Sequence, residues 1–381
     1  MKRNYEVIIV GAGPAGATLA RELASKGVRV LVLEKATLPR YKCCAGGLTV
    51  KAIKLLGTNV DEVVEDAISS AIVTFAGESP YEGHHGQTIG YTVMREKFDY
   101  ALVRRAEEAG ADFLQGLEAC GIQFGDKTVE VSTVAGNFRS QFVAGADGVR
   151  SVVAKALGIE GNRNFVAAIE TEVQVPREEL ARWKSRMAID LGRIPAGYAW
   201  VLPKFDHLSI GIACPASEAK DLKRHYLAFL DSLDFSHHTI ARWESSLIPI
   251  CAGRRVVARD RAVLLGDAAG LADPLTGEGI YNAVLSAQLA APAIENSLRY
   301  GDLRLGDYRK AVEEKIILEM KIAYVFSRVL ALFPSRLFKV LKRDERVWRS
   351  WCYLLRGEIT YSTIKTRIGT LGAMYNLVWQ R

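Results

Sequence analysis

The stretch "YEVIIVGAGPAG", residues 5–16, decides the fold. Residues 5–10 form a short, unbroken apolar run rich in β-branched side chains, the pattern of a strand buried on both faces of a parallel sheet. A glycine turn follows at once. Gly11, Gly13 and Gly16 spell G-x-G-x-x-G around Ala15. The first glycine permits the tight turn, the second lets a pyrophosphate approach the backbone, and the third lets helix pack closely on strand. The helix predicted next runs through "ATLARELASKG" and stops at Gly27. "VRVLVLE" is then a second buried strand ending at Glu34, with Lys35 behind it. Glu34 lies 18 residues beyond Gly16, where an acid accepts hydrogen bonds from the ribose hydroxyls of an adenine dinucleotide. Strand, glycine turn, helix, strand and acid in this order predict a Rossmann-like α/β unit.

Two later segments extend the pattern. "FVAGADGVRSVVAKALG" carries an apolar strand into Asp147 and Gly148. "AVLLGDAAGLADPLTGEGIYNAVLSAQLA" carries another into Gly266 and Asp267, then a turn at Gly277 and Gly279, then a helix with apolar residues at Ile280, Ala283, Val284 and Ala287. The first motif alone does not separate NAD from FAD. The three segments together resemble the flavoprotein hydroxylase superfamily, with its p-hydroxybenzoate-hydroxylase-like fold. The resemblance implies FAD, held by the N-terminal motif and the Gly266–Asp267 motif, with the helix that begins at Ile280 against the flavin's pyrimidine end. A helix N-terminus suits that place because reduced flavin is anionic at its N1–C2 edge. Arg95, in "VMREKFD", matches the arginine that the superfamily places near FAD.

"PAGYAWVLP", residues 195–203, narrows the branch. It resembles the P-x-x-Y-x-W-x-F-P signature of the geranylgeranyl reductase family, with Leu202 where that pattern has Phe. On a strand, Tyr198, Trp200 and Leu202 share one face and form a row suited to a long hydrocarbon. "PRYKCCAGGL" resembles the family's P-R-x-K-x-C-G-G-like segment, with Cys44 on its cysteine, Ala45 in place of the usual Gly, and Gly46–Gly47 retained. Glycines there let the chain pass close over the isoalloxazine. The resemblance puts Cys44 beside the flavin as a thiol that donates or relays a proton, and Cys43 is read as its incidental neighbour. "GEITYSTI", residues 357–364, looks like the G-x-x-x-Y segment near the end of such reductases.

The expected FAD-binding positions are therefore Gly11, Gly13, Ala15, Gly16, Glu34, Lys35, Cys44, Ala45, Gly46, Gly47, Arg95, Asp147, Gly148, Gly266, Asp267, Gly277, Gly279 and Ile280. Tyr198, Trp200, Leu202 and Pro274 are the expected substrate pocket, and Cys44, Tyr198 and Trp200 the candidate catalytic set. No metal site is expected: His84–His85 and His237–His238 have no companions at ligand spacing.

At 381 residues, with 49% hydrophobic and 24% charged positions, the composition is globular and supports more than one buried core. The expected class is α/β (α+β): a discontinuous FAD domain from 1–56, 90–160 and 252–310, an interleaved antiparallel-sheet substrate domain from 57–89 and 161–251, and a helical C-terminal region, 311–381. The first residues lack a signal-peptide pattern, no run of about 18 apolar residues occurs, and six cysteines in so long a chain read as reduced thiols. The expectation is a cytoplasmic protein, peripheral on a membrane. Residues 320–381 hold twelve Lys/Arg against three Asp/Glu and ten of the 33 aromatics, so the net charge of +7 belongs to the tail. Basic and aromatic residues at helical spacing suit an anionic membrane surface, and no nucleic-acid motif accompanies them.

The implied activity is reduction of C=C bonds in geranylgeranyl or other polyprenyl chains. The polyprenyl lipid or isoprenoid is the partner, and the electron donor stays open between NADPH and ferredoxin. Rival readings are a flavin monooxygenase of the same fold, a FixC-like electron-transfer dehydrogenase, and a flavin-bearing lipid-binding protein without turnover.

Overall fold

The structure is a computed structural model that describes residues 5–57, 59–159, 164–253, 255–301 and 305–370. Its nucleotide side is a six-stranded sheet. The order is Ala258–Arg259, Ala262–Leu264, Phe142–Gly145, Val7–Val10, Val30–Glu34, Asp112–Gln115, parallel except for the first pair. Val7–Val10 and Val30–Glu34 are buried along their whole length, as their unbroken apolar runs require. The Pro14–Ala24 helix packs against both Ile280–Tyr300 and Arg95–Glu108. It closes on the sheet because Gly16 has no side chain: a Cβ there would lie 1.9 Å from the Gly11 carbonyl oxygen.

The second large sheet has seven strands in the order Thr239–Ile250, Asn164–Gln174, Leu208–Pro215, Tyr198–Pro203, Arg186–Leu191, Ser70–Phe75, Glu78–His84. It is antiparallel except where Arg186–Leu191 meets Ser70–Phe75. One face is covered by the Leu222–Asp231 helix through Tyr226, Phe229 and Leu230. The other faces the nucleotide side. The two sheets draw on interleaved stretches of chain, and a small sheet of Gly47–Thr49, Gly90–Val93 and Val64–Ile68 lies along the line where the chain crosses between them.

The C-terminal segment is helical over Leu318–Leu332, Pro334–Arg343, Glu345–Arg356 and Tyr361–Thr370, and 371–381 lie outside the described residues. These helices form a wall. Trp348 lies flat on Gly83, its ring 2.5 Å from where a Cβ would stand, and its indole N–H donates to the His84 carbonyl at 3.0 Å. Phe338 stacks on Phe75 at 6.2 Å between centroids. Among the described residues, no helix is long and apolar enough to cross a membrane.

Candidate functional site

Between the two sheets and the C-terminal helices lies one cavity of about 2230 Å³. A site for one drug-sized ligand is typically about 300–1,000 Å³, so this space admits a dinucleotide and a second large molecule together. Every residue expected at the cofactor or substrate site lines it except Gly16, which packs helix on strand.

The nucleotide end is built from backbone. Gly11 takes a left-handed φ of +100°, and a Cβ there would lie 2.4 Å from the Ala146 carbonyl oxygen, so the turn admits only glycine. Gly13 faces open space, its nearest neighbour being Arg40 Nη2 at 4.0 Å from a built Cβ. Glu34 is buried and accepts from the Ala12 N–H at 2.8 Å and the Ala36 N–H at 3.0 Å. Lys35, beside it, is largely exposed and lies 3.9 Å from Glu118. Asp147 accepts from the Val152 N–H at 2.7 Å, and burial raises its carboxyl above the ordinary range. Two helices open on the cavity with no side-chain cap: Pro14–Ala24 after Gly13 and Ile280–Tyr300 after Gly279. Their uncapped N–H groups and positive dipole ends fit FAD, with pyrophosphate at the first and the N1–C2 edge at the second.

The turn before the second helix is held from three directions. Asp273 is buried and accepts from the Leu275 and Thr276 N–H groups at 2.8 and 3.2 Å, and its other oxygen accepts from the Tyr361 hydroxyl at 2.7 Å. Tyr198 donates to the Thr276 carbonyl at 2.7 Å. Glu278 is gripped by the Thr49 hydroxyl at 2.5 Å and by Lys51 at 3.1 Å. Tyr198 from the signature strand and Tyr361 from the C-terminal motif, far apart in sequence, thus brace the same turn.

The cysteine loop is also clamped. Lys204, buried at the end of the signature strand, donates to the Ala45 carbonyl at 2.7 Å and the Val93 carbonyl at 2.8 Å. Gly46, at φ +67°, has no room for a Cβ between that ammonium and the Val93 oxygen. Arg95 forms a two-pronged pair with fully buried Asp99 at 2.7 and 2.8 Å, and Arg40 joins the same carboxylate at 2.9 Å. Burial opposes the charge on Arg95, but Asp99 and the Cys44 thiol beside it hold the guanidinium firmly protonated. Cys44 Sγ accepts from the Gly46 N–H at 3.4 Å. Cys43, expected to be incidental, instead has a defined partner: its thiol donates to Glu170 at 3.7 Å.

Tyr198, Trp200 and Leu202 line one face of their strand, with the Tyr198 and Trp200 rings 5.9 Å apart. Trp200 lies flat over Gly211, whose Cβ would be 2.1 Å from the indole. Leu202 approaches the loop at Gly47, and Pro274 lies in the braced turn. The opposite wall is apolar and comes from Phe326, Phe333, Leu337, Phe338, Leu341 and Leu355 of the C-terminal helices. Sequence reading missed Arg40, Asp99, Glu170 and Lys204. Arg40 and Asp99 lie inside the quoted segments "PRYKCCAGGL" and "VMREKFD" and Lys204 follows the closing proline of the signature, but the partners that give Arg40, Glu170 and Lys204 their places are distant in sequence.

The profile of the FAD binding domain family matches residues 4–193. The digeranylgeranylglycerophospholipid reductase of Methanosphaerula palustris is 30% identical over 316 residues, covering 79% of each chain. The crystal structure of a geranylgeranyl bacteriochlorophyll reductase-like protein from Thermoplasma acidophilum superposes with a TM-score of 0.80 at 23% identity, over 87% of this chain and 88% of that one. The flavin-dependent brominase Bmp2 shares the fold, with a TM-score of 0.75 at 21% identity over 93% and 94%. The protein is an FAD-dependent oxidoreductase, and it belongs to the geranylgeranyl reductase family of flavoproteins.

Proposed function

We propose that this protein hydrogenates isolated C=C bonds of a polyprenyl chain carried on a lipid or diphosphate. The observation that carries the reading is the row Tyr198–Trp200–Leu202 beside the cysteine loop in a largely apolar cavity of about 2230 Å³. The digeranylgeranylglycerophospholipid reductases among its relatives support the substrate class. FAD, when bound and reduced, supplies hydride at N5. The residues expected at the cofactor site, from Gly11 to Ile280, hold it, and the chain does the rest. An isolated alkene has no carbonyl to share developing charge, so the protein must fix the alkene, exclude water and place a proton. The aromatic row and the C-terminal wall fix and dry the alkene. Cys44 Sγ–H gives the proton, positioned by the clamp of Lys204 on the loop.

The exposed side chains Leu332 and Val325, 65% and 56% accessible, stand among Arg328, Arg336 and Lys339 of the same helices. This mixed surface docks on an anionic bilayer and brings the lipid to the cavity.

The test is anaerobic. Flavin is reduced with dithionite, a geranylgeranyl lipid or diphosphate is added, and reoxidation is followed together with product mass. Reoxidation with a gain of two mass units per double bond is the expected result. Flavin that stays reduced with each polyprenyl substrate, and reoxidises only when oxygen enters, overturns the reading in favour of a monooxygenase.

A further inference from the structure

The Asn164–Gln174 strand carries a carboxylate on the cavity face for which the mechanism above has no use. Glu170 is 3% exposed, lines the cavity, and is reached by the Ser209 hydroxyl at 2.9 Å and the Cys43 thiol at 3.7 Å. Its position follows from register. Trp200, Gly211 and Glu170 stand opposite one another on three adjacent strands, and the missing side chain at Gly211 lets the Trp200 ring lie over the middle strand. The carboxyl therefore sits at the edge of the aromatic floor, under the cysteine loop.

A buried carboxylate is costly unless it is paired or neutral. The ionisable groups around Glu170 are Tyr41 and Cys43 from the loop, Glu172 on its own strand, Glu244 opposite it, Arg242 on the same neighbouring strand, and Lys204. Among the described residues, no ion pair closes on Glu170: Lys204 gives its hydrogens to two carbonyls, and Arg242 lies 3.9 Å from Glu172 and over the Tyr41 ring. Burial raises Glu170, against the pull of Lys204, and burial lowers Lys204, against the pull of Glu170. Both displacements favour the neutral forms.

The cysteine loop needs a source of protons. Cys44 gives up one per turnover and lies against Arg95, which never releases one. Cys43 is next in the chain, and burial pushes its thiol up to about 12, so it stays protonated. We propose that Glu170 is the proton store of the site and acts through Cys43 to refill the cysteine loop after each turnover. The inference rests on the reductase reading. Cys44 Sγ–H passes its proton to the product; the Cys43 Sγ–H, which at rest donates to Glu170, turns to its chain neighbour Cys44 and reprotonates it, and the neutral Glu170 carboxyl, its hydroxyl then facing Cys43, reprotonates Cys43. The carboxylate left behind is held by Ser209 and the nearby Lys204 until water returns a proton. No electrons move in the refilling steps.

Glu170→Gln keeps the shape and removes the proton. Infrared difference spectra of the flavin-free protein at neutral pH should show a protonated carboxyl in the wild type that the variant lacks. In anaerobic turnover, Glu170→Gln should show one fast turnover followed by a steady rate lowered by about tenfold or more, as loss of a proton-transfer group predicts. No carboxyl signal, or a variant slowed equally from its first turnover, overturns the proposal, the latter because it marks a structural role. Should the wild type reduce no polyprenyl substrate, the reductase reading and the relay fall together, while the infrared signal still decides whether Glu170 stores a proton.

Discussion

Gly16 in the nucleotide half and Gly211 in the antiparallel half are both glycines that a methyl group would disrupt, for opposite reasons. At Gly16 the added Cβ meets backbone, the Gly11 carbonyl oxygen at 1.9 Å and its carbon at 3.0 Å, within one turn of the same motif. At Gly211 it meets a side chain first, the Trp200 ring at 2.1 Å, from a strand paired with it. The glycine turn is thus set by backbone packed on backbone, and the aromatic floor by side chains that reach across strands.

The largest expected effect is that of Gly16→Ala. The Gly11 backbone cannot yield, so the cost should reach or exceed the top of the roughly 1–3 kcal/mol range of overpacking. Purified variant should carry little FAD, measured as flavin absorbance per protein, and melt well below the wild type. Full flavin occupancy with an unchanged melt would break the comparison at its stronger end.

Gly211→Ala sharpens the other end. The indole can swing away, although the Ile169 carbonyl oxygen at 2.7 Å limits how the strand relaxes. The expected cost is about 1–3 kcal/mol with FAD retained, and the KM for the polyprenyl substrate should rise by about tenfold as the floor is lost. Trp200→Leu in the same chain should restore part of the stability, so that the two changes are not additive. Loss of flavin from Gly211→Ala would show that the two halves are not separable.

The same contrast explains what could be read from the sequence. G-x-G-x-x-G, Glu34 and the Gly266–Asp267 segment are legible because each carries its spacing within one short segment, although Gly11 closes on Ala146 and Glu34 on Ala12, and the structure lines all of them but Gly16 along one cavity. The alternation of Tyr198, Trp200 and Leu202 predicts a shared face for the same reason. Glu170 was invisible because its meaning comes from Gly211 beside it, Cys43 above it and Lys204 near it, three residues on three other segments. A Glu in the middle of "AAIETEVQ" alternates like an ordinary exposed strand residue. The C-terminal helices were read as a basic, aromatic membrane face. Their second role as a cavity wall depends on Trp348 meeting Gly83, which no local pattern encodes.

The smallest effect is a slope rather than a level, and it tests the substrate half alone. Because burial raises Glu170 in the folded protein, the folded state keeps a proton that the unfolded chain releases above the ordinary glutamate range near 4.3. Stability from this group is fully present below that range and is lost as pH rises through the raised value. Lys204 works from the other side. Its lowered value means that the unfolded chain binds a proton, below the ordinary lysine range near 10.4, that the folded state does not, so stability falls as pH falls through that window. Thermal melts of flavin-free protein between about pH 5 and about pH 8, below the ordinary thiol range near 8.5, keep Cys43 and Tyr41 out of the titration. Over that interval Glu170→Gln should gain on the wild type as pH rises, because the variant lacks the acid whose ionisation destabilises the fold. Parallel melting curves would mean that Glu170 is already ionised beside Lys204, and the antiparallel half would then hold a buried charge pair where the present reading places a stored proton.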